Sequence, residues 1–241
     1  MELHINTTSD ELICEMADYF VDQATKFISS NSVFNVVLSG GNSPKALFKL
    51  LAQDSYNKKI DWNKINFFFA DERYVPADDP ENNSRMAKET LFDPLNIPKN
   101  QIFVIDTSLS PEEAGSNYFK TIQNHFNGKK VVFDLILLGL GDNSHTASLF
   151  PNTSILADHS ISVKAVYLSA EKKYRISMTA GMINQAKNIA FLVYGKSKAA
   201  AVKHILKDDF NPNEFPAQLI KPVNGNLEWF IDQSAASELN D

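Results

Sequence analysis

Apolar residues along this chain recur with two different periods, and the alternation between them outlines an architecture. Leu12, Met16, Phe20, Ala24 and Phe27/Ile28 fall three to four residues apart, which predicts a helix with one apolar face; Thr8-Ser9-Asp10-Glu11 ahead of them has the form of a capping box. Short apolar runs bounded by polar residues predict strands at 33–38, 65–70, 102–105, 133–139, 161–168, 188–194 and 227–231. Between them helices are predicted over 44–51, from 83 or 84 to 92, over 110–126, over 146–150, at about 179–185 with 175–178 leading into it, and over 197–206. Residues 210–223 read as a Pro-interrupted loop with a helical turn. Strands alternating with helices throughout predict one three-layer α/β domain over residues 1–241, with a largely parallel sheet and helices on both faces.

In such a sheet, ligands bind beyond the carboxyl ends of strands, and three strand ends carry the candidate chemistry. Ser39-Gly40-Gly41-Asn42-Ser43-Pro44 leads from the strand at 33–38 into a helix, with Ser43 a good N-cap and Pro44 a good first helical residue. The two glycines suit a phosphate cradle, in which close backbone approach offers free N–H groups to an anion; a plain tight turn needing positive φ accounts for them equally. Asp71-Glu72-Arg73 places three charges at the end of the strand at 65–70, either as solvated loop charges or as part of a site. Gly139 and Gly141 break the strand at 133–139, and Asp142, Asn143, Ser144 and His145 follow at once, where the predicted helix at 146–150 would aim N–H groups at a ligand. A neutral imidazole, with an ordinary pKa of ~6.5, can accept a proton from water near neutral pH; His145 could instead merely pack at the turn. Lys198 lies in the first turn of a helix, where a cation opposes the dipole unless it faces a bound anion; an exposed surface lysine accounts for it equally. His125, near a helix C-terminus, reads as a surface residue favourably placed on the dipole.

Composition narrows the classes of function. The 241 residues carry a formal net charge of −6, which argues against nucleic acid or an anionic membrane as the main partner. Cys14 is the one cysteine and lies off the apolar stripe of its helix, so an internal disulfide and a Cys-based zinc site are excluded; a single thiol fits a reducing cytoplasm. The N-terminal MELHINTTSDE lacks the features of a signal peptide, and no run approaches the ~18 apolar residues of a membrane span. There is no G-x-S-x-G, H-E-x-x-H, C-x-x-C or Walker A motif. Gly139-Leu140-Gly141-Asp142-Asn143-Ser144 mimics a dinucleotide fingerprint, but Ser144 replaces its third glycine and Asp142 would repel a pyrophosphate.

Taken together, SGGNSP (39–44), DERYVP (71–76) with Asn83, GLG (139–141) with HTASLFP (145–151), and Arg175-Ile-Ser-Met-Thr179 resemble the 6-phosphogluconolactonase family in order and separation. Gly195-Lys196-Ser197-Lys198-Ala199, Phe215-Pro216-Ala217, Trp229, Asp232 and Ala235-Ala236 extend the likeness over the whole chain. The resemblance implies the fold shared with glucosamine-6-phosphate deaminases and ribose-5-phosphate isomerases, a sugar-phosphate lactone as the small-molecule substrate, and no metal or organic cofactor. It leaves monomer and homodimer both open. His145 would then be the general base, with Asp142 or Asn143 orienting it. Ser39, Gly40, Gly41, Asn42, Ser43, Asp71, Arg73, Arg175 and Lys198 would surround the 6-phosphate or line its pocket, and backbone amides of the 139–145 turn would hold the oxyanion. The family usually reads Asp-Gly-His where this chain has Asn143-Ser144-His145, and Ser where it has Asn82. Related deaminases carry Glu at the position of Phe150, which cannot transfer protons. A non-catalytic sugar-phosphate sensor would need an appended DNA-reading domain, for which the sequence offers no candidate segment.

Overall fold

In the computed structural model, which describes residues 1–239, the chain begins β1 (Glu2–Asn6), α1 (Ser9–Asn31), β2 (Phe34–Leu38), α2 (Asn42–Leu51), α3 (Asp54–Asn57), β3 (Ile65–Phe69), β4 (Asp71–Arg73) and α4 (Asn83–Ala87). It continues α5 (Pro111–His125), β5 (Leu135–Leu138), β6 (Val163–Leu168), β7 (Lys173–Met178), α6 (Ala180–Ile183), β8 (Asn188–Val193), α7 (Ala199–Leu206) and β9 (Asn226–Asp232). Six strands form a parallel sheet in the order β1-β9-β8-β5-β2-β3. Its central strands are buried along their whole length, and mostly apolar, because both faces are covered. Along β2, Val36 and Leu38 pack with Leu12, Met16 and Phe20 of α1 and Phe48 of α2, while Val37 points the other way, into the layer containing Ala114, Tyr118 and Ile122 of α5.

That second layer also holds a smaller antiparallel sheet, β4-β7-β6. Helix α5 comes close to β6 at Gly115, where a Cβ would stand 3.3 Å from the Val163 carbonyl oxygen. The two sheets share one continuous segment. Ala70 donates its N–H to the Leu38 carbonyl (2.9 Å) and accepts from the Met178 N–H (2.8 Å), so the chain leaves the parallel sheet and enters the antiparallel one within a single residue.

Thr8 with Glu11 forms the expected capping box, and Ser110 with Glu113 forms a second one at the start of α5. Other expectations fail for identifiable reasons. Strand β1 went unpredicted because, as an edge strand, it shows little burial contrast along its five residues. The segment 102–105 makes only one bridge, Phe67 to Ile102, and 175–178 is itself the inner part of β7. The helix expected over 83–92 is α-helical only to Ala87 and widens into a π-turn at Lys88–Phe92. Residues 146–150 form a tight turn closed by a Thr146–Leu149 bridge with Ala147 at positive φ, and are not helical. Helix α2 begins two residues early, with Gly41 at the N-cap, so Ser43 does not cap it. His125 is half-buried and not simply a surface residue: it stacks edge-on against Phe68 and Phe103, and its Nε2 meets Asn35 Oδ1 at 2.8 Å.

At the amino ends of the central strands, the buried Asp134 accepts the Asn35 N–H (2.8 Å) and pairs with Lys187 (2.8 Å), tying β2 to the segment entering β8. Lys187 keeps access to water, so the exposed ammonium can rehydrate if the pair is lost. The buried Asn35 N–H cannot. Asp134→Ala is therefore expected to lower the unfolding free energy by about 1–3 kcal/mol, read as a lower urea midpoint with an unchanged slope.

Candidate active site

Beyond the carboxyl ends of β2, β5 and β8 lies a cleft of about 560 Å³. All twelve residues singled out from the sequence except Asn143 line it, Ser39 through Ser43, Asp71, Arg73, Asp142, His145, Arg175 and Lys198 among them. Asn143 is exposed beside it and touches the imidazole at Nδ1.

The His145 turn is built by unusual backbone geometry. The Gly141 N–H donates to the His145 carbonyl (2.8 Å) and the Ser144 N–H to the Gly141 carbonyl (2.9 Å), closing the chain into a tight loop. A Cβ at Gly141 would collide with the imidazole, which lies directly against the backbone there. Ser144 adopts φ +63°, a left-handed conformation that costs a non-glycine residue roughly 1–2 kcal/mol. The glycine usual in the resembled family would adopt it without that cost. The Ala217 N–H, donating to the Ser144 carbonyl at 3.0 Å, helps hold the strained residue in place.

The imidazole itself is fixed on two sides. Its Nδ1 hydrogen-bonds Asn143 Oδ1, and its ring stacks on Phe150 with centroids 4.0 Å apart. An amide oxygen can only accept, so Nδ1 carries the proton and Nε2 presents a lone pair. Asp142 does not touch His145; it turns to Lys198 Nζ at 2.5 Å. Removal from water pushes the His145 pKa down to about 4, and the charges of Lys198, Arg175 and Arg73 push it the same way against Asp142. The imidazole is accordingly neutral across the physiological range.

The opposite wall comes from the antiparallel sheet, where register places Arg73 directly across from Arg175. Arg73 donates to the Glu81 carbonyl (2.9 Å), and Arg175 pairs through Nη2 with Glu171 (2.8 Å). Arg175 Nη1 is buried and has no partner, although its guanidinium lines the cleft. Asp71 is buried, and burial raises its pKa despite both arginines and the Ser148 hydroxyl, which donates to it at 2.6 Å. Burial likewise raises the pKa of Glu72 to about 7; its carboxylate accepts the N–H groups of Asn83 (2.6 Å), Ser84 (2.9 Å) and Arg73 (2.9 Å), fixing the start of α4. Asn83 in turn donates to the Asp71 carbonyl (3.0 Å) and fills the space that a Cβ at Gly40 would need.

At the third wall, α2 starts from Gly41 at φ +103° with no side-chain cap. The amides of its first turn are therefore available to an anion, and Pro44 within that turn has no N–H to offer. Ser148 entered the sequence reading only inside the HTASLFP motif, with no role of its own, and Glu171 not at all. Both reach the site because the antiparallel sheet folds back over the cleft.

Comparison with known proteins gives the same picture. The family model described as glucosamine-6-phosphate isomerases/6-phosphogluconolactonase matches residues 7–229. A 6-phosphogluconolactonase of Synechocystis is 38% identical, with 89% of this chain and 88% of that protein aligned, and one of Haemophilus influenzae is 38% identical over 85% and 87%. The solved structure of 6-phosphogluconolactonase from Trypanosoma cruzi superposes with a TM-score of 0.87 at 25% identity, covering 100% of this chain and 97% of that one. With a cleft assembled at the family's expected motifs and a match over nearly its whole length, this chain belongs to the glucosamine-6-phosphate isomerase/6-phosphogluconolactonase family.

Proposed function

We propose that the chain hydrolyses 6-phospho-D-glucono-1,5-lactone to 6-phospho-D-gluconate, with His145 as general base. The observation that carries this reading is the neutral imidazole with a free Nε2, held by Asn143 and Phe150 inside a cleft whose other walls are cationic. In this scheme Nε2 takes a proton from water as the water oxygen bonds to the lactone carbonyl carbon. The tetrahedral oxyanion is met by amides of the 139–145 turn other than those of Gly141 and Ser144, which that turn already uses. Collapse breaks the ring C–O bond, and the imidazolium returns its proton to the leaving ring oxygen, giving the acid and a free hydroxyl. Asn143 acts as a positioning residue, fixing the tautomer. The 6-phosphate has a natural place between the uncapped start of α2 and Arg175, whose buried Nη1 lacks a partner. Lys198 and Arg73 add charge around it. Phosphate bound there would offset the three cations that depress His145, so the base strengthens when the substrate is in place. Phe150 favours hydrolysis over deamination, since it holds the imidazole by stacking and has no proton to give.

The primary test is lactone disappearance with purified protein against a measured blank, because such lactones also hydrolyse unaided. His145→Ala is expected to lose ~10²–10⁴ of the enzymatic rate, and equal rates for the two proteins would remove the base from the scheme. The pH profile has a definite sign. Protonation removes the Nε2 lone pair, so kcat/KM for gluconolactone lacking the phosphate, whose own ionisation falls at about pH 6, should stay level on acidification through pH 6 and fall only as the pH approaches about 4. A limb near the unperturbed value of ~6.5 would contradict the dehydrated, cation-lined setting. Finally, each charge-assisted contact to phosphate is worth ~1.5–3 kcal/mol, so gluconolactone lacking the phosphate should react with kcat/KM at least about tenfold lower. Arg175→Met should shrink that preference; the absence of any preference in the wild type would rule out the phosphate pocket.

A further inference from the structure

Away from the cleft, towards the amino ends of the strands, β1 and β9 lie in register with Glu2 opposite Glu228 and His4 opposite Phe230. Residues two apart on a strand share a face, so all four side chains project to the same side. There Glu15 and Tyr19, one turn apart on α1, reach down to them. His4 Nε2 stands 3.1 Å from Glu228 Oε2, and its Nδ1 stands 2.9 Å from Glu15 Oε1. The Tyr19 hydroxyl donates to Glu228 Oε1 at 3.1 Å, and the imidazole lies flat on Phe230 with centroids 4.3 Å apart. One donor atom from each of Glu2, His4 and Glu228 falls within 4.8 Å of the others.

Two features of this cluster, beyond its hydrogen bonds, suit a bound cation. The first is charge. Three carboxylates converge on one imidazole, the side chains of His4 and Glu228 are only 21% and 13% exposed, and among the described residues the only ion pairs of Glu15 and Glu228 are with His4. Charges withdrawn from water require compensation. The second is geometry. Two ligands held ~2.0–2.1 Å from a tetrahedral ion stand roughly 3.3 Å apart, close to the His4–Glu228 separation. A carboxylate on the remaining ring nitrogen, as Glu15 provides, is the arrangement that orients metal-binding histidines.

We propose that Glu2, His4 and Glu228 form a binding site for a divalent transition-metal ion of the Zn²⁺ type, with Glu15 as the residue that orients His4. The imidazole donor selects such an ion over Mg²⁺, which takes oxygen ligands. The site lies apart from the hydrolytic cleft and takes no part in its chemistry. Its ion ties the edge strand β1 to β9, and because the unfolded chain has no such site, binding stabilises the fold.

The test is calorimetric titration of Zn²⁺ into untagged, chelator-stripped protein, with thermal unfolding followed in parallel. One equivalent is expected to bind and to raise the unfolding midpoint, while Mg²⁺ does neither. Glu2→Gln alters an exposed side chain and keeps the fold, which circular dichroism checks, yet should abolish or sharply weaken binding, as should His4→Ala. Glu15→Gln should weaken binding by about 10–100-fold, whereas His145→Ala should leave it unchanged. Absence of Zn²⁺ binding by the wild type, binding that survives Glu2→Gln or Glu15→Gln undiminished, or binding lost in His145→Ala would each overturn the proposal.

Discussion

The passage of the chain between two sheets at Ala70 is the constraint on which the rest of this structure depends. With its N–H committed to the parallel sheet and its carbonyl to the antiparallel one, Ala70 leaves the next three residues no freedom of placement. Asp71 is carried under the His145 turn, where it accepts from Ser148. Glu72 is buried against the start of α4 and takes up its free amides. Arg73 is set opposite Arg175 in register. One change of sheet thus assembles a wall of the cleft and the support beneath it.

Electrostatics within the cleft run against the character of the whole protein. The chain is acidic, yet three cations face His145 there. Each has a protein partner: Lys198 with Asp142, Arg175 with Glu171, and Arg73 with a backbone carbonyl. Only Arg175 keeps a buried nitrogen without one. Such an arrangement holds the cations in place without saturating them, and the carboxylates paired with Lys198 and Arg175 remain accessible to water. Ser144 supplies the opposite kind of device, a local strain that aims the imidazole and is offset by the packing around it.

Much of the fold was legible in the sequence where burial is symmetric or caps are strong. The central strands read correctly because both faces demand mostly apolar residues, and α1 because its capping box and apolar stripe agree. Signals failed where local pattern and environment part company. Strand β1 alternates too weakly at a sheet edge, and the turn after His145 carries helix-like spacing but is closed by a bridge and a positive φ at Ala147. His125 carries a polar label yet sits among aromatic rings.

The sequence by itself determined that this is an α/β chain with glycine turns at strand ends, and its motifs, through their resemblance to a known family, implied that His145, the cations and the Ser39–Ser43 turn belong to one kind of site. Those features follow from periodicity and short motifs, which are local. Only the tertiary structure decided that Asn143, and not Asp142, holds the imidazole, that Arg175 faces Arg73, and that Glu2, His4 and Glu228 meet. The physical reason is the same in each case: the partner is chosen by strand register and by what burial leaves unpaired, and neither is encoded within a few residues of the group concerned.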